Sequence, residues 1–376
     1  MGKDVRAQDP PELQARPPRP RRGAPRRPSR IVTIFSILLL IALWAWALAW
    51  LAAGASWRAD LLANLAAQGL IITMASALLW LMLRRRVFFV LAALACLMHV
   101  WILATGRGAI MPRGFDPAGR VPGAVRMFHY NASHKRPPEE VLATLRSALP
   151  DVASIAEPSV ALQTQVIYGD ALETEYPYRL RRQYRVRGEG DRVGAGVVLS
   201  RWPLEQYPLD GLAADGVVDD IIAGVLTVPG GAIGSGADQR WGLIAIHPRS
   251  PRSAERWAHG NEVVGSVAII ARKMQSEGLP VVVLADLNST PSGWRSRELF
   301  FEGGLRRGKP LLSAAGTYPA VFDLGQWTDL RSRWPMTIAI DDVFVSGGVQ
   351  VRGWTRLDAG QSDHWPVVTE LVPALR

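Results

Sequence analysis

The chain has 376 residues, of which 48% are hydrophobic and 20% charged, and carries a formal net charge of +10. Its single cysteine excludes a disulfide-built scaffold. The charge is unevenly placed, with +6 in residues 1–30 and +3 in residues 31–106. That leaves +1 for the last 270 residues, so the basic balance gives no argument for nucleic-acid binding by the C-terminal part.

Residues 1–30 hold nine Lys+Arg, three Asp+Glu and seven prolines, a composition that builds no core and predicts a disordered basic tail. The runs Ile31–Trp57, Leu61–Leu83 and Val87–Gly106 contain no charged residue. Each meets the ~18–20 residues needed to cross a bilayer, which predicts three transmembrane helices at residues 31–55, 61–83 and 87–106. Each run is too long for the apolar core of a signal peptide. Trp44, Trp46, Trp50, Trp57, Trp80 and Trp101 fall in or beside these runs, where several can anchor at the headgroup level. Positive charge selects the cytoplasmic side, placing the tail and Arg84–Arg86 inside and the Arg58–Asp60 loop outside. The expected protein is thus a multi-pass inner-membrane protein with a cytoplasmic tail and a periplasmic or otherwise extracytoplasmic domain. Its expected partner is the bilayer, and no protein partner is inferred.

Residues 107–120, RGAIMPRGFDPAGR, read as a linker, and residues 121–376 as one large domain. Short apolar runs recur there: VRMFHYN, DVASIAE, TQVIYGD, GAGVVLS, WGLIAIHP, PVVVLADLN, IAIDDVFVS and HWPVVTEL. Helical patterns lie at Pro138–Leu149 and Ser253–Glu277, each stopped by Pro150 or Gly278. Many buried strands with few helices predict an α/β sandwich of sheets.

These strands stop at a recurring set of polar residues. VVVLAD runs into Asp286, and period-2 geometry puts Asn288 on the same side. The others stop at or contain Asn131, Glu157, His247, Asp341 with Asp342, and Asp363 with His364. Acids and amides at the ends of water-averse segments are costly unless they converge on a cation or on one another. Oxygen ligands suit Mg²⁺, which fits Glu157, Asp363 and Asn131. A carboxylate-oriented histidine fits His364 with Asp341. There is no HExxH or CxxC spacing for zinc and no GxSxG elbow for a serine hydrolase.

The order N … DVxxxxE … H … (V/A)DxN … IDxxFVS … SDHxPV resembles the endonuclease/exonuclease/phosphatase superfamily, the deoxyribonuclease-like metal-dependent phosphoesterases. The resemblance covers essentially residues 121–376 and implies a four-layer α/β sandwich, two packed sheets flanked by helices, here preceded by three transmembrane helices. It implies Mg²⁺ or Mn²⁺ at Asn131, Glu157 and Asp363, with Glu157 the principal ligand. His247 would contact the scissile phosphate, Asp286 orient or deprotonate water, Asn288 bond the phosphate and Asp341 orient His364. Ala285, Ala156 and Asp342 depart from the family pattern, and the charge of Asp342 would repel a phosphate unless neutralised.

The family's chemistry leaves the substrate open among nucleic acid, phospholipid and small phosphodiesters. The segment RLRRQYRVRGEGDR, with Arg179, Arg181, Arg182 and Arg185, either contacts phosphate or forms a solvated edge strand whose charges block aggregation. The leading expectation is a membrane-anchored phosphodiesterase or nuclease. The alternatives are a phospholipid-headgroup or inositol-phosphate-type phosphoesterase and a non-catalytic module that binds a phosphate ligand.

Overall fold

The computed structural model describes residues 30–105, 108–109, 119–133, 136–170, 172–181, 196–214, 216–310, 313, 315–319, 321–322, 330–331, 337–358 and 362–374. The basic tail and most of the 107–120 linker lie outside the described residues. The chain divides into two compact units, Met1–Leu39 and Leu40–Arg376. In the first, the described residues are the opening turns of a helix.

Four helices come first: α1 (Arg30–Ala49), α2 (Trp57–Asn64), α3 (Ala66–Met82) and α4 (Arg86–Thr105). By length and composition, α1 with the short turn after it and α4 are each able to cross a membrane. A third span results only if α2 and α3, which meet at 67°, are taken together. The uncharged run Leu61–Leu83 is therefore not one straight helix. It bends at Leu65, the junction of α2 and α3, and just before the bend α2 carries Asp60 and Asn64, both buried and both bonded to groups far along the chain.

The remainder runs β1 (Gly108–Ala109), β2 (Val125–Asn131), α5 (Pro138–Ala148), β3 (Val152–Ala156), α6 (Val160–Gln163), β4 (Tyr178–Arg181), β5 (Gly196–Ser200), β6 (Leu204–Gln206), β7 (Ile221–Val228), β8 (Gln239–Ile246), α7 (Ala254–Ser276), β9 (Val281–Asp286), α8 (Trp294–Phe301), β10 (Arg306–Pro310), β11 (Val321–Phe322), β12 (Leu330–Arg331), β13 (Asp341–Val345), β14 (Val349–Arg356) and β15 (Val367–Pro373). Two mixed sheets result, ordered β1-β10-β13-β9-β8-β7-β6 and β14-β15-β2-β3-β5-β4, with β11-β12 a separate pair. Gly108–Ala109, expected in a linker, pairs with β10 as the edge strand of its sheet.

Alternation along the strands builds the layers. Val125 and Met127 of β2 meet Val282 and Leu284 of β9 between the sheets. Phe128 and Tyr130 face outward onto Val141, Leu142 and Leu145 of α5. Val281, Val283 and Ala285 face the other way, onto Val263, Val267 and Ile270 of α7. The four-layer sandwich is thus formed as the resemblance implies.

Both predicted helices form. α5 starts at Pro138 with Glu139 and Glu140 in its first turn and stops at Leu149, which is left-handed at φ 46. The Ser253 hydroxyl caps α7 by accepting from Arg256 N–H, and Gly278 at φ 82 follows its end. TQVIYGD is not a strand. Capped by Ser159, it continues α6 as helical turns that bury Leu162 and Val166 against α5 and its sheet. IIAGVLTV, absent from the runs named above, is the buried strand β7.

Candidate active site

The same alternation that builds the inter-sheet core delivers the polar residues. After Val282 and Leu284 the next inward position on β9 is Asp286, and before Val345 and Val343 the corresponding position on β13 is Asp341. β9 and β13 are antiparallel with Asp341 directly opposite Asp286, so the two carboxylates share one face. On β2, Val125 and Met127 lead to His129 and Asn131, and past the end of β8, Leu243 and Ala245 lead to His247. The mouth between the sheets therefore collects side chains from both.

Asp286 is fully buried. Its Oδ2 accepts from Asn131 Nδ2 at 3.0 Å and its Oδ1 from the Asn288 backbone N–H at 2.9 Å. His364 donates from Nδ1 to Asp341 Oδ2 at 2.9 Å, and the same nitrogen lies 3.7 Å from Asp286 Oδ2. Asp341 is held from behind, since its backbone N–H donates to Thr317 Oγ1 at 2.9 Å. Ser362 accepts from the His364 N–H and donates to the Asn131 carbonyl, tying the SDH turn to the end of β2. His247 Nε2 sits 3.4 Å from both Glu157 Oε1 and Asp286 Oδ2 and 3.2 Å from Asn288 Nδ2.

Glu157 and Asn288 are both left-handed at φ 49. Asparagine tolerates that region, whereas for glutamate it costs about 1–2 kcal/mol, a strain of the kind that collects at functional sites.

Burial pushes the Asp286 pKa up, but His364, His247, Asn131 and the Asn288 N–H outweigh it and hold the carboxyl below its ordinary value. Burial and the neighbouring Asp286 raise Asp341. For His364, burial favours the neutral ring, but Asp341 and Asp286 dominate and raise its pKa, so the pair is a carboxylate with an imidazolium. His129, by contrast, is driven by burial to about 3 and is neutral.

The ligand atoms of Asp286, Asp341 and His364 lie within 4.8 Å of one another, the one group of three or more His, Cys, Asp or Glu so gathered among the described residues. None of the set expected to hold metal is among these three. Glu157 stands beside His247, Asn131 is engaged with Asp286 and the Ser133 N–H, and Asp363 lies in the turn between Ser362 and His364. The mouth is nonetheless rich in hard oxygen donors and contains no thiol, which fits a divalent cation such as Mg²⁺ or Mn²⁺ better than a soft metal.

Asp342 points away from the mouth. Arg307 on β10 neutralises it at 2.7 Å, and Trp354 Nε1 and the Lys309 N–H also donate to it, so its charge does not oppose a phosphate. Arg179 does not serve as a loose phosphate contact: its guanidinium donates to the carbonyls of Val166, Gly169 and Tyr176. Arg181 ends β4, while Arg182 and Arg185 lie outside the described residues. Arg179→Ala is expected to leave KM unmoved and to lower stability by about 1 kcal/mol, measured by steady-state kinetics and denaturant melts.

Two residues were missed from the sequence. His129 Nε2 lies 3.8 Å from Asp341 Oδ1, and its ring nitrogens find no hydrogen-bond partner among the described residues. The available signal is strand parity, since His129 is two residues before Asn131 on β2. Arg295, fully buried on α8, donates to the Leu287 carbonyl at 2.8 Å and so fixes the peptide between Asp286 and Asn288. Nothing in WRSRELFF singles it out.

No curated protein matches the chain. Among solved structures, the catalytic domain of human Nocturnin with bound sulfate is similar at 15% identity over 68% of this chain and 97% of that one, with a TM-score of 0.46. Truncated Caenorhabditis elegans TDP2 is similar at 16% identity over 66% and 98%, TM-score 0.46. An endonuclease/exonuclease/phosphatase from Beutenbergia cavernae is similar at 17% identity over 67% and 72%, TM-score 0.41. The Endonuclease/Exonuclease/phosphatase family matches residues 126–364, well over half the chain and all of the mouth just described. The protein belongs to that family of phosphoester hydrolases.

Proposed function

We propose that the chain is a membrane-anchored, divalent-metal-dependent phosphodiesterase or nuclease whose catalytic domain lies outside the cytoplasm. The observation that carries this reading is the convergence of Asn131, Asp286, Asn288, Asp341 and His364, joined through Ser362, into one hydrogen-bonded group at the mouth between the sheets.

Asp286, held ionised in a buried site, is the acceptor that orients an attacking water and takes its proton. His364, kept positively charged by Asp341, stands beside it and supplies a cationic donor to a phosphate oxygen. Asn288 and His247, paired at 3.2 Å, would complete the phosphate contact. Glu157, with Asn131 and Asp363, would hold the cation. When bound, that cation supplies Lewis acidity and orients the phosphoryl group. The nucleophile is water, and no side chain is acylated or phosphorylated.

The apolar helices supply the membrane anchor, and the positive charge of residues 1–30 and Arg84–Arg86 argues for a cytoplasmic tail. The same anchor, together with the near-neutral charge of the catalytic domain, favours a phospholipid headgroup or small phosphodiester over long duplex nucleic acid as the substrate.

The test uses the full chain in nanodiscs with bis-p-nitrophenyl phosphate, p-nitrophenyl phosphate, plasmid DNA and phospholipid, each with Mg²⁺, Mn²⁺ or EDTA. Turnover that needs the cation is expected, and the preferred substrate separates diesterase, phosphatase, nuclease and lipid hydrolase. Binding of a phosphate ester without turnover of any of them sinks the catalytic reading and leaves a binding module.

A further inference from the structure

We propose that the extracytoplasmic end of the membrane anchor is a positioning element of the active site, with Asp60 and Asn64 of α2 holding the turn that carries Asp286 and Asn288. The inference rests on the catalytic roles given above to those two residues.

The turn Ser289–Gly293 leaves the catalytic strand β9 and leads into α8. Its polar groups are satisfied largely by the anchor. Asn64 Oδ1 accepts from the Thr290 N–H at 2.5 Å and from Ser289 Oγ at 3.2 Å. Thr290 Oγ1 donates to the Asn64 carbonyl at 3.1 Å, and Ser292 Oγ to the Ala63 carbonyl at 2.8 Å.

A second route runs through α8. Its N-cap is Gly293, which has no side chain to accept from the first turn. Asp60 supplies the missing acceptor across more than 200 residues, taking the Trp294 N–H on Oδ1 at 2.8 Å, and a carboxylate there also complements the helix dipole. Its Oδ2 accepts from Trp257 Nε1 on α7 at 3.0 Å. Asp60 and Asn64 are four apart on α2, so one helical face makes both contacts, and Asn64 Nδ2 donates back to the Asp60 carbonyl at 2.8 Å. One residue beyond Trp294, Arg295 reaches the carbonyl of Leu287, the residue between Asp286 and Asn288.

The fit is close enough to specify residue types. A Cβ at Gly293 would come within 2.4 Å of Asn64 Oδ1, and one at Gly54 within 2.6 Å of the Trp294 ring. The left-handed Asn288 lies between the fixed strand and this clamped turn. Release of the clamp frees it to relax, moving the Asn288 amide that faces His247 and the N–H that orients Asp286.

The experiment compares the full chain in nanodiscs with Asn64→Leu, Asp60→Ala and Asp60→Asn. Turnover is measured on the best substrate, and hydrogen exchange is read at the Thr290 and Trp294 amides. Asn64→Leu and Asp60→Ala are expected to lower kcat about tenfold or more with KM little changed, as for a small misplacement of a reacting group. Protection of the two amides is lost alongside. Asp60→Asn, which keeps an acceptor for Trp294 but sets a donor against Trp257 Nε1, recovers part of kcat. Unchanged exchange at both amides overturns the proposal, as does a fall in kcat that merely follows the folded fraction or that Asp60→Asn fails to recover. If the wild-type chain hydrolyses nothing, the phosphoesterase reading fails, and the exchange data alone decide whether the anchor holds the turn.

Discussion

Replacing Asp286 by alanine is expected to lower kcat for phosphoester hydrolysis by about 10²–10⁴, the range for removal of a positioned acid-base group. Asp286 is the one carboxylate of the mouth that is both buried and held below its ordinary pKa, so it accepts a proton only transiently and stays ready as an anion at neutral pH. Its two oxygens are already aimed, one by Asn131 and one by the Asn288 N–H. Alanine removes the acceptor and leaves those two donors without it, a penalty of about 1–3 kcal/mol each. It also relieves the crowding of two buried carboxylates, since Asp341 lies directly opposite. Those stability effects oppose one another, so thermal denaturation is expected to move far less than the rate. Asp286→Asn separates the roles: it keeps the shape but not the charge, and should be nearly as inactive as alanine if Asp286 takes the proton of water. Steady-state kinetics of the folded variants decide the matter, and a kcat within tenfold of wild type for Asp286→Ala removes Asp286 from the reaction.

How much of this was readable in advance depended on the range of the interaction. Asp286 and Asn288 were legible because strand periodicity is local: once VVVLAD is a strand, the side on which Asp286 emerges follows. The pairing of β13 with β9 was not legible, because nothing in IAIDDVFVS names its neighbour, yet that pairing sets Asp341 opposite Asp286. The charge of Asp342 could be read and its consequence could not, since neutralisation by Arg307 comes from pairing of β10 with β13. His129 shares the strand parity of Asn131 but lies inside the strand, so attention to strand ends does not reach it. Arg295 and Arg179 illustrate one limit from opposite sides: a guanidinium declares its charge in the sequence but not the carbonyls it is spent on. The count of uncharged residues took Leu61–Leu83 as one span because Asn64 carries no charge. The bend after Asn64 is invisible to such a count, because the partners of Asn64 lie outside that run.

Asp341→Asn is expected to lower kcat by about 10²–10⁴ as well, by a different route, because Asp341 acts on the reaction through His364. In the wild type His364 Nδ1 donates to both Asp341 oxygens, at 2.9 and 3.1 Å, which fixes the ring and turns Nε2 away from the carboxylate. Burial alone would make this histidine neutral, but Asp341 first and Asp286 second overcome it and raise its pKa. An asparagine keeps the shape but withdraws the charge, so the His364 pKa falls. The sign of the pH dependence follows. A rate that needs the imidazolium persists in the wild type up to the raised pKa and declines as pH passes it, whereas in Asp341→Asn the decline begins at lower pH. Stability moves in the same sense. A raised folded pKa stabilises fully below the ordinary histidine value near ~6.5, and that contribution is lost as pH rises through the folded one. Asp341→Asn removes it, so the variant's deficit relative to wild type is largest in acid and shrinks as pH rises, where the wild-type pair loses its proton too. Measured pH–rate and pH–stability profiles of the two proteins test this together. An alkaline limb at the same pH in both shows that the ionisation governing the rate does not belong to His364, and it would pass the proton-handling role to Asp286 alone.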